Sequence, residues 1–206
     1  MCKTVMAGGL LLSLFIGAAS ASYAADGRAG SWHQAAQGAP ALKVCKKLVQ
    51  QNPKSAIANN DLGWAYRQNG DLTMSEKYLR QAIQLDGKLS QAHSNLSVVL
   101  ADKGAFDEAK SEAQNALSIE PKNPIYKVVL GNALAKKGDR KEAIQQYRDA
   151  VQLKPDYENA LYNLGRVLAD DGQVNDAKLA LADALALDPK DDRVVELLDK
   201  LSPQTK

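Results

Sequence analysis

Two cysteines and two histidines are all that this 206-residue chain offers for thiol, imidazole or soft-metal chemistry. They are Cys2, Cys45, His33 and His93, and no two share the short spacing of a ligand pair or a redox pair. No HExxH, CxxC, GxSxG or Gly-rich phosphate loop occurs. The acidic pairs Asp170-Asp171 and Asp191-Asp192 fall at helix ends, where solvated turn residues are ordinary. The stretch "DDRVVE" lacks the alternating oxygens and glycine of a calcium loop. His93 lies in a helical stretch with no second ligand beside it, so packing is its expected role. The expectation is a protein that is not an enzyme and holds no cofactor and no metal. Lys plus Arg number 26 against 24 acidic residues, a net charge of +2, which gives no global attraction to nucleic acid or to an anionic membrane.

The start of the chain reads as an address rather than as fold. "MCKTVMAGGLLLSLFIGAASASYAADG" has an early Lys3, an apolar run from Val5 to Ala19 and small residues after it, the anatomy of a secretory signal peptide. Cleavage is expected after Ala24 (Ser-Tyr-Ala) or Ala21 (Ala-Ser-Ala). The other reading is an uncleaved anchor, although the run is shorter than the ~20 apolar residues that a spanning helix needs. Removing residues 1–24 takes Lys3 and Cys2 away and leaves Cys45 as the single thiol. One thiol makes no internal disulfide, so packing must hold the exported protein together. Cys45 is then either a small buried residue on a helix or an interchain bridge. Residues 25–39, "ADGRAGSWHQAAQGA", lack helical periodicity and read as a flexible leader, with Trp32 placed to dock on the first helix.

What organises the remainder is a repeated helix ending. "LVQQNPKS" at Leu48, "AIQLDGKL" at Ala82, "ALSIEPKN" at Ala116, "AVQLKPDY" at Ala150 and "ALALDPKD" at Ala184 each start 34 residues after the last. Laid over one another, the units share columns. Leu-Gly stands at Leu62-Gly63, Leu130-Gly131 and Leu164-Gly165, with Leu96-Ser97 in the second unit. Three residues on come Tyr66, Leu100, Leu134 and Leu168, then a turn glycine at Gly70, Gly104, Gly138 and Gly172. Ser75, Ala109, Ala143 and Ala177 follow, then Leu79, Ala113, Tyr147 and Leu181, then Ala82, Ala116, Ala150 and Ala184, and the unit closes on Gly87, Pro121, Pro155 or Pro189. Small residues let two helices approach, the large ones fill the space beside them, glycine supplies the positive φ that ends the first helix, and proline stops the second. Asp71, Asp107, Asp139 and Asn175 are expected to cap the second helices. Each unit is therefore a helical hairpin with helices of roughly 12–14 residues, marginal alone and stable only when stacked.

These columns resemble the tetratricopeptide repeat (TPR) family, whose W-x2-L-G-x2-Y…A-x3-F…P pattern they follow. Departures are mild: Asn59, His93, Lys127 and Leu161 occupy the Trp position, and Gly87 replaces one Pro. The resemblance implies an all-α helical-hairpin solenoid, a right-handed superhelix. An N-terminal partial repeat helix is expected over 40–53, four units over 56–189 (56–89, 90–123, 124–157 and 158–191), a C-terminal capping helix over 190–202 and a tail at 203–206. In the capping helix Val194, Val195, Leu197, Leu198 and Leu201 are expected to cover the last hairpin, with Arg193, Glu196, Asp199 and Lys200 in water.

In this family the first helix of each hairpin lines a concave groove where partners lie. The corresponding positions here are Asn60, Asp61, Trp64, Arg67 and Gln68, then Gln91, Ser94, Asn95, Val98 and Asp102. Ile125, Val128, Val129, Asn132 and Lys136 follow from the third unit, and Asn159, Tyr162, Asn163, Arg166 and Asp170 from the fourth. From these the resemblance implies a peptide- or partner-binding set of Asn60, Trp64, Arg67, Asn95, Asn132, Asn159, Tyr162, Asn163 and Arg166. Trp, Tyr and Arg are types enriched in binding hot spots, and asparagine amides both donate to and accept from a peptide backbone. Trp64 is equally readable as core. Asn95 and Asn163 share one column, a partial asparagine ladder that Asp61 and Val129 interrupt. Ile125 and Val129 stand where the last basic pair of the chaperone-binding carboxylate clamp would be. The functional expectation is an exported, non-enzymatic interaction scaffold that grips a peptide segment of an envelope, secretion or pilus-assembly partner, in the periplasm or another extracytoplasmic space of a bacterium. It takes a protein or peptide partner, no nucleic acid, and no membrane beyond an uncleaved N-terminal anchor. The alternative is a self-associating structural component of an envelope assembly, a homo-oligomer.

Overall fold

The computed structural model describes residues 39–202, and over this span the chain is a row of ten α-helices without strands. They are α1 (Ala39–Gln51), α2 (Ala56–Gln68), α3 (Leu72–Leu85), α4 (Ser90–Asp102), α5 (Phe106–Ile119), α6 (Pro124–Lys137), α7 (Arg140–Leu153), α8 (Glu158–Asp170), α9 (Val174–Leu187) and α10 (Asp192–Leu201). The signal-peptide and leader expectations, with Cys2, Trp32 and His33, lie outside the described residues, as does the tail at 203–206.

The pairs α2–α3, α4–α5, α6–α7 and α8–α9 form hairpins, each turning on a glycine that only a residue without Cβ adopts easily: φ is 82° at Gly70, 81° at Gly104, 99° at Gly138 and 80° at Gly172. Inside each hairpin the small-residue column does what its spacing predicts. A Cβ on Gly63 would stand 2.6 Å from Leu79 Cγ, one on Gly131 2.7 Å from the Tyr147 ring, and one on Gly165 2.6 Å from Leu181 Cγ. The second unit reaches the same closeness differently. Ser97 stands where the other units have glycine, and its hydroxyl donates to the Ala109 carbonyl of α5 at 2.7 Å. Leu79, Ala113, Tyr147 and Leu181 are all fully buried, as are Ala82, Ala116, Ala150 and Ala184.

Two expectations need correction. Of the four proposed caps only Asp71 acts, its carboxylate accepting from the Met74 N–H at 2.9 Å. Asp107 and Asn175 lie two residues too far along, inside the first turns of α5 and α9, whose N-caps are Ala105 and Gln173. Asp139 is the N-cap of α7 but makes no capping bond; its carboxylate lies 3.5 Å from Lys137 Nζ instead. Ser55, Asn123 and Asp191 cap α2, α6 and α10. The second correction concerns α10, where Val194 is fully buried but Val195 is 40% exposed and points away from the last hairpin.

The even-numbered helices touch one another in succession, α2 to α4 to α6 to α8 to α10, whereas the odd-numbered helices from α1 to α9 stand too far apart for backbone contact. A row that is close on one side and open on the other bends, and the even helices take the inside. Across the outer side, exposed ion pairs step from one hairpin to the next: Arg80–Glu108 at 2.9 Å, Lys110–Glu142 at 3.0 Å and Arg148–Asp176 at 3.8 Å. Such exposed pairs are worth at most about 1 kcal/mol each, so the row is held by its buried columns.

Candidate partner-binding groove

Because the even helices present every third or fourth residue inward, the groove face is a set of three side-chain rows crossing the units. The row nearest the start of each helix is internal rather than free. Asn60 is fully buried and Asn95 nearly so; Asn95 Nδ2 donates to Asn60 Oδ1 at 2.9 Å, and Asn60 Nδ2 donates to Asp61 Oδ1 at 3.2 Å. These amides, expected to meet a peptide backbone, instead tie α2 to α4. Burial pushes the Asp61 carboxyl up to about 6, with the Asn60 hydrogen bond opposing. Cys45 of α1 is half-buried near it, and burial followed by the Asp61 charge pushes its thiol up to about 11.

The row nearest the helix ends is a charge relay. Arg67 on α2 and Lys136 on α6 both bind Asp102 on α4 at 2.8 Å. Burial works to raise the Asp102 carboxyl, but the hydrogen bonds and charges of Lys136 and Arg67 outweigh it and hold it below the ordinary carboxylate range. Arg67 also lies over the Trp64 ring at 4.8 Å. Trp64 is half-buried, neither pure core nor free surface.

Between these rows the last two units place a different group. Asn132 is half-buried, and its side-chain carbonyl accepts from the Tyr147 hydroxyl at 2.7 Å. Tyr147 belongs to α7, yet with only Gly131 in its way the ring crosses to the groove side. Burial pushes its hydroxyl well above the ordinary tyrosine range, with Arg166 offsetting part of the effect. Arg166 is half-buried on α8, its guanidinium 3.4 Å from Asn163 Oδ1 and 3.8 Å from Asp170. Asn163 Nδ2 donates to the Asn159 carbonyl at 2.7 Å, and Asn159 itself is exposed. Tyr162 is half-buried beneath Arg193 of α10, at 4.8 Å, and Arg193 is held by Asp191 at 2.6 Å and Glu158 at 3.1 Å.

Asn132 and Arg166 lie beside Tyr147 and Asn163 beside Arg166, whereas Tyr162 lies under Arg193; neither Tyr147 nor Arg193 stands among the groove positions expected from the sequence. A glycine paired with a polar-tipped ring sixteen residues on was the available signal for Tyr147. His93 takes the packing role expected of it: it is buried, with Nδ1 2.6 Å from Glu112 and Nε2 3.1 Å from the Gly87 carbonyl. Among the described residues no three His, Cys, Asp or Glu side chains converge as a metal site would require, and no helix is long and apolar enough to cross a membrane.

Comparison with known proteins agrees with this architecture. Family models for the tetratricopeptide repeat match residues 56–89, 90–123 and 158–191, and a TPR repeat model matches 131–172. Among solved structures, pilF of Pseudomonas aeruginosa is 26% identical with a TM-score of 0.67, the match covering 71% of this chain and 67% of that one. A thermophilic TPR protein of Thermus thermophilus is 19% identical with a TM-score of 0.69, covering 78% and 88%. YrrB, described as a TPR protein with an unusual peptide-binding site, is 22% identical with a TM-score of 0.60, covering 78% and 92%. No curated protein sequence matches the chain. With well over half of its length matched by repeat models, the chain belongs to the tetratricopeptide repeat family.

Proposed function

We propose that this protein is an exported, non-enzymatic adaptor whose groove grips an extended, acidic peptide segment of an envelope, secretion or pilus-assembly partner. TPR repeats are generally protein-interaction modules, and their neighbours of the same fold include one described by its peptide-binding site. The observation that carries the reading is the unequal pairing of the groove cations. Arg67 and Lys136 are both locked on Asp102 at 2.8 Å, while the nearest carboxylate to Arg166 is Asp170 at 3.8 Å. An incoming carboxylate can displace that loose contact and take a charge-assisted bond from the guanidinium. Asn132 and Asn163 flank it as amide partners for the adjoining backbone, and Tyr162 offers an aromatic face. The chemistry is binding, with the groove side chains fixed on rigid helices so that little ordering cost falls on the protein. The export reading rests on the signal-like residues 1–24, which point to a partner outside the cytoplasm.

Anisotropy titration of the chain with extended peptides, matched pairs with and without a central Glu, tests the site. The Glu-bearing member is expected to bind at least tenfold more tightly, and Arg166→Ala with Tyr162→Ala to abolish the difference. Trp64→Ala is expected to weaken both members. Equal binding of the pair, or a difference that survives the Arg166 change, would move the site off this groove.

A further inference from the structure

In the column of Leu79, Ala113, Tyr147 and Leu181, Tyr147 alone carries a polar tip. Its hydroxyl end passes α6 at Gly131, where a Cβ would stand 2.9 Å from Tyr147 Cζ. Beyond that gap it arrives between Asn132 and Arg166. These two hold one position in successive units, on the neighbouring helices α6 and α8. Trp64 and Val98 hold the same position in the first two units. An amide, a phenolic hydroxyl and a guanidinium therefore meet in the second half of the groove and not in the first.

The direction of each bond follows from what the groups can do. A guanidinium donates and never accepts, so toward Arg166 the Tyr147 oxygen is an acceptor. Burial raises this hydroxyl, and the charge and hydrogen bond of Arg166 oppose the rise. The single phenolic proton is then left for Asn132, whose Oδ1 receives it at 2.7 Å. An amide carries its oxygen and its NH2 on opposite arms. With Oδ1 turned to the tyrosine, Nδ2 is turned away from it, and Nδ2 has no partner among the described residues. Asn163 is oriented too, with Nδ2 on the Asn159 carbonyl and Oδ1 3.4 Å from Arg166. Arg166 and Asn132 thus show donors to an incoming group, which replaces the exposed Asp170 now 3.8 Å from the guanidinium.

We propose that Tyr147 sets the specificity of this site: by holding the Asn132 oxygen it keeps the amide nitrogen outward, so that the site takes an ionised Glu or Asp side chain and rejects Gln or Asn. This specificity rests on the groove reading proposed above and adds to it a choice between side chains of equal size. A carboxylate offers acceptors alone and pairs with both Arg166 and Asn132. A carboxamide pairs through its oxygen, but its NH2 then meets a second donor and both are stranded. An amide at position 132 that could turn would present Oδ1 to that NH2, and the choice would weaken. Tyr147 is a positioning residue, because it touches Asn132 and Arg166 rather than the partner.

Anisotropy titration of the full chain with extended peptides carrying Glu, Gln or Ala at one central position tests the assignment. The unaltered chain is expected to prefer Glu over Gln by about tenfold. Tyr147→Phe keeps the ring against Gly131 and removes the hydroxyl. With circular dichroism confirming unchanged helix, it is expected to bind the Gln peptide about threefold more tightly than the unaltered chain does, narrowing the preference. A loosened fold would weaken all three peptides alike, so a gain for one of them separates orientation from structure. Asn132→Asp still accepts from the Tyr147 hydroxyl but turns an acceptor outward, and is expected to remove the Glu preference. No gain for Gln in Tyr147→Phe, or a Glu preference that survives Asn132→Asp, overturns the role of Tyr147, while a Glu preference lost in Arg166→Ala leaves the groove reading standing. Glu bound no better than Ala by the unaltered chain overturns the groove reading, and the role of Tyr147 with it.

Discussion

Asp61 shows how one buried side chain sets a pH dependence. Its carboxyl is held near 6 by burial, above the roughly 3.9 of an unfolded aspartate. The folded chain therefore holds this proton where the unfolded chain has lost it, and stability is greatest below about pH 4 and falls as pH rises through 6. Asp61→Asn keeps the Asn60–Asp61 geometry without the charge. Urea unfolding followed from pH 4 to pH 7 should show the variant more stable at pH 7, by on the order of 1–2 kcal/mol, with the slope between pH 4 and 6 flattened. An unchanged slope would mean that Asp61 is hydrated in the fold. Ser75 is a second misfit. It is fully buried and its hydroxyl has no hydrogen-bond partner, in a column that holds alanine in the other three units. Removing an orphaned hydroxyl should gain about 1 kcal/mol, so Ser75→Ala is expected to raise the midpoint of thermal unfolding.

The hairpin depends on how closely its two helices approach. A methyl at Gly165 would meet Leu181 Cγ at 2.6 Å and the Ala177 carbonyl at 3.2 Å, and the carbonyl belongs to a helix that cannot step aside locally. Alanine is favoured over glycine in a helix by about 1 kcal/mol, but overpacking costs about 1–3 kcal/mol, and here it prevails. Gly165→Ala is expected to destabilise by about 1–2 kcal/mol in denaturant titration. A gain in stability would mean that α8 and α9 separate without cost. The outer ion pairs between hairpins make the opposite case: Arg80–Glu108 and its relatives are exposed and contribute little.

Across the molecule, stability accumulates by neighbour contacts along the row. Excising residues 90–123 removes α4 and α5 and brings the column of the third unit against α3, so the remainder should still fold. It loses the Asn60–Asn95 bond and one complete buried interface. Its far-UV helical signal should drop by two helices, and both the denaturation midpoint and the slope m should fall, since less surface is buried. A shortened chain with undiminished midpoint and slope would show that the hairpins are self-sufficient.

Much of this could be read from the chain before any coordinates. A strict 34-residue recurrence of Leu-Gly, turn glycine, alanine and proline encodes hairpins that must stack, because each column has a local steric job that residue type alone performs. Polar residues on the groove side were not legible in the same way. Asn60 and Asn132 look alike in the sequence, but one is buried against Asn95 and the other holds a tyrosine hydroxyl that crosses from the neighbouring helix past Gly131. Arg67 and Arg166 look equally free, yet Asp102 comes within 2.8 Å of the first only because α2 and α4 lie side by side. Hydrogen bonds and ion pairs act over about 3 Å, so which polar groups are already spent was decided by the tertiary approach of helices some 35 residues apart in sequence.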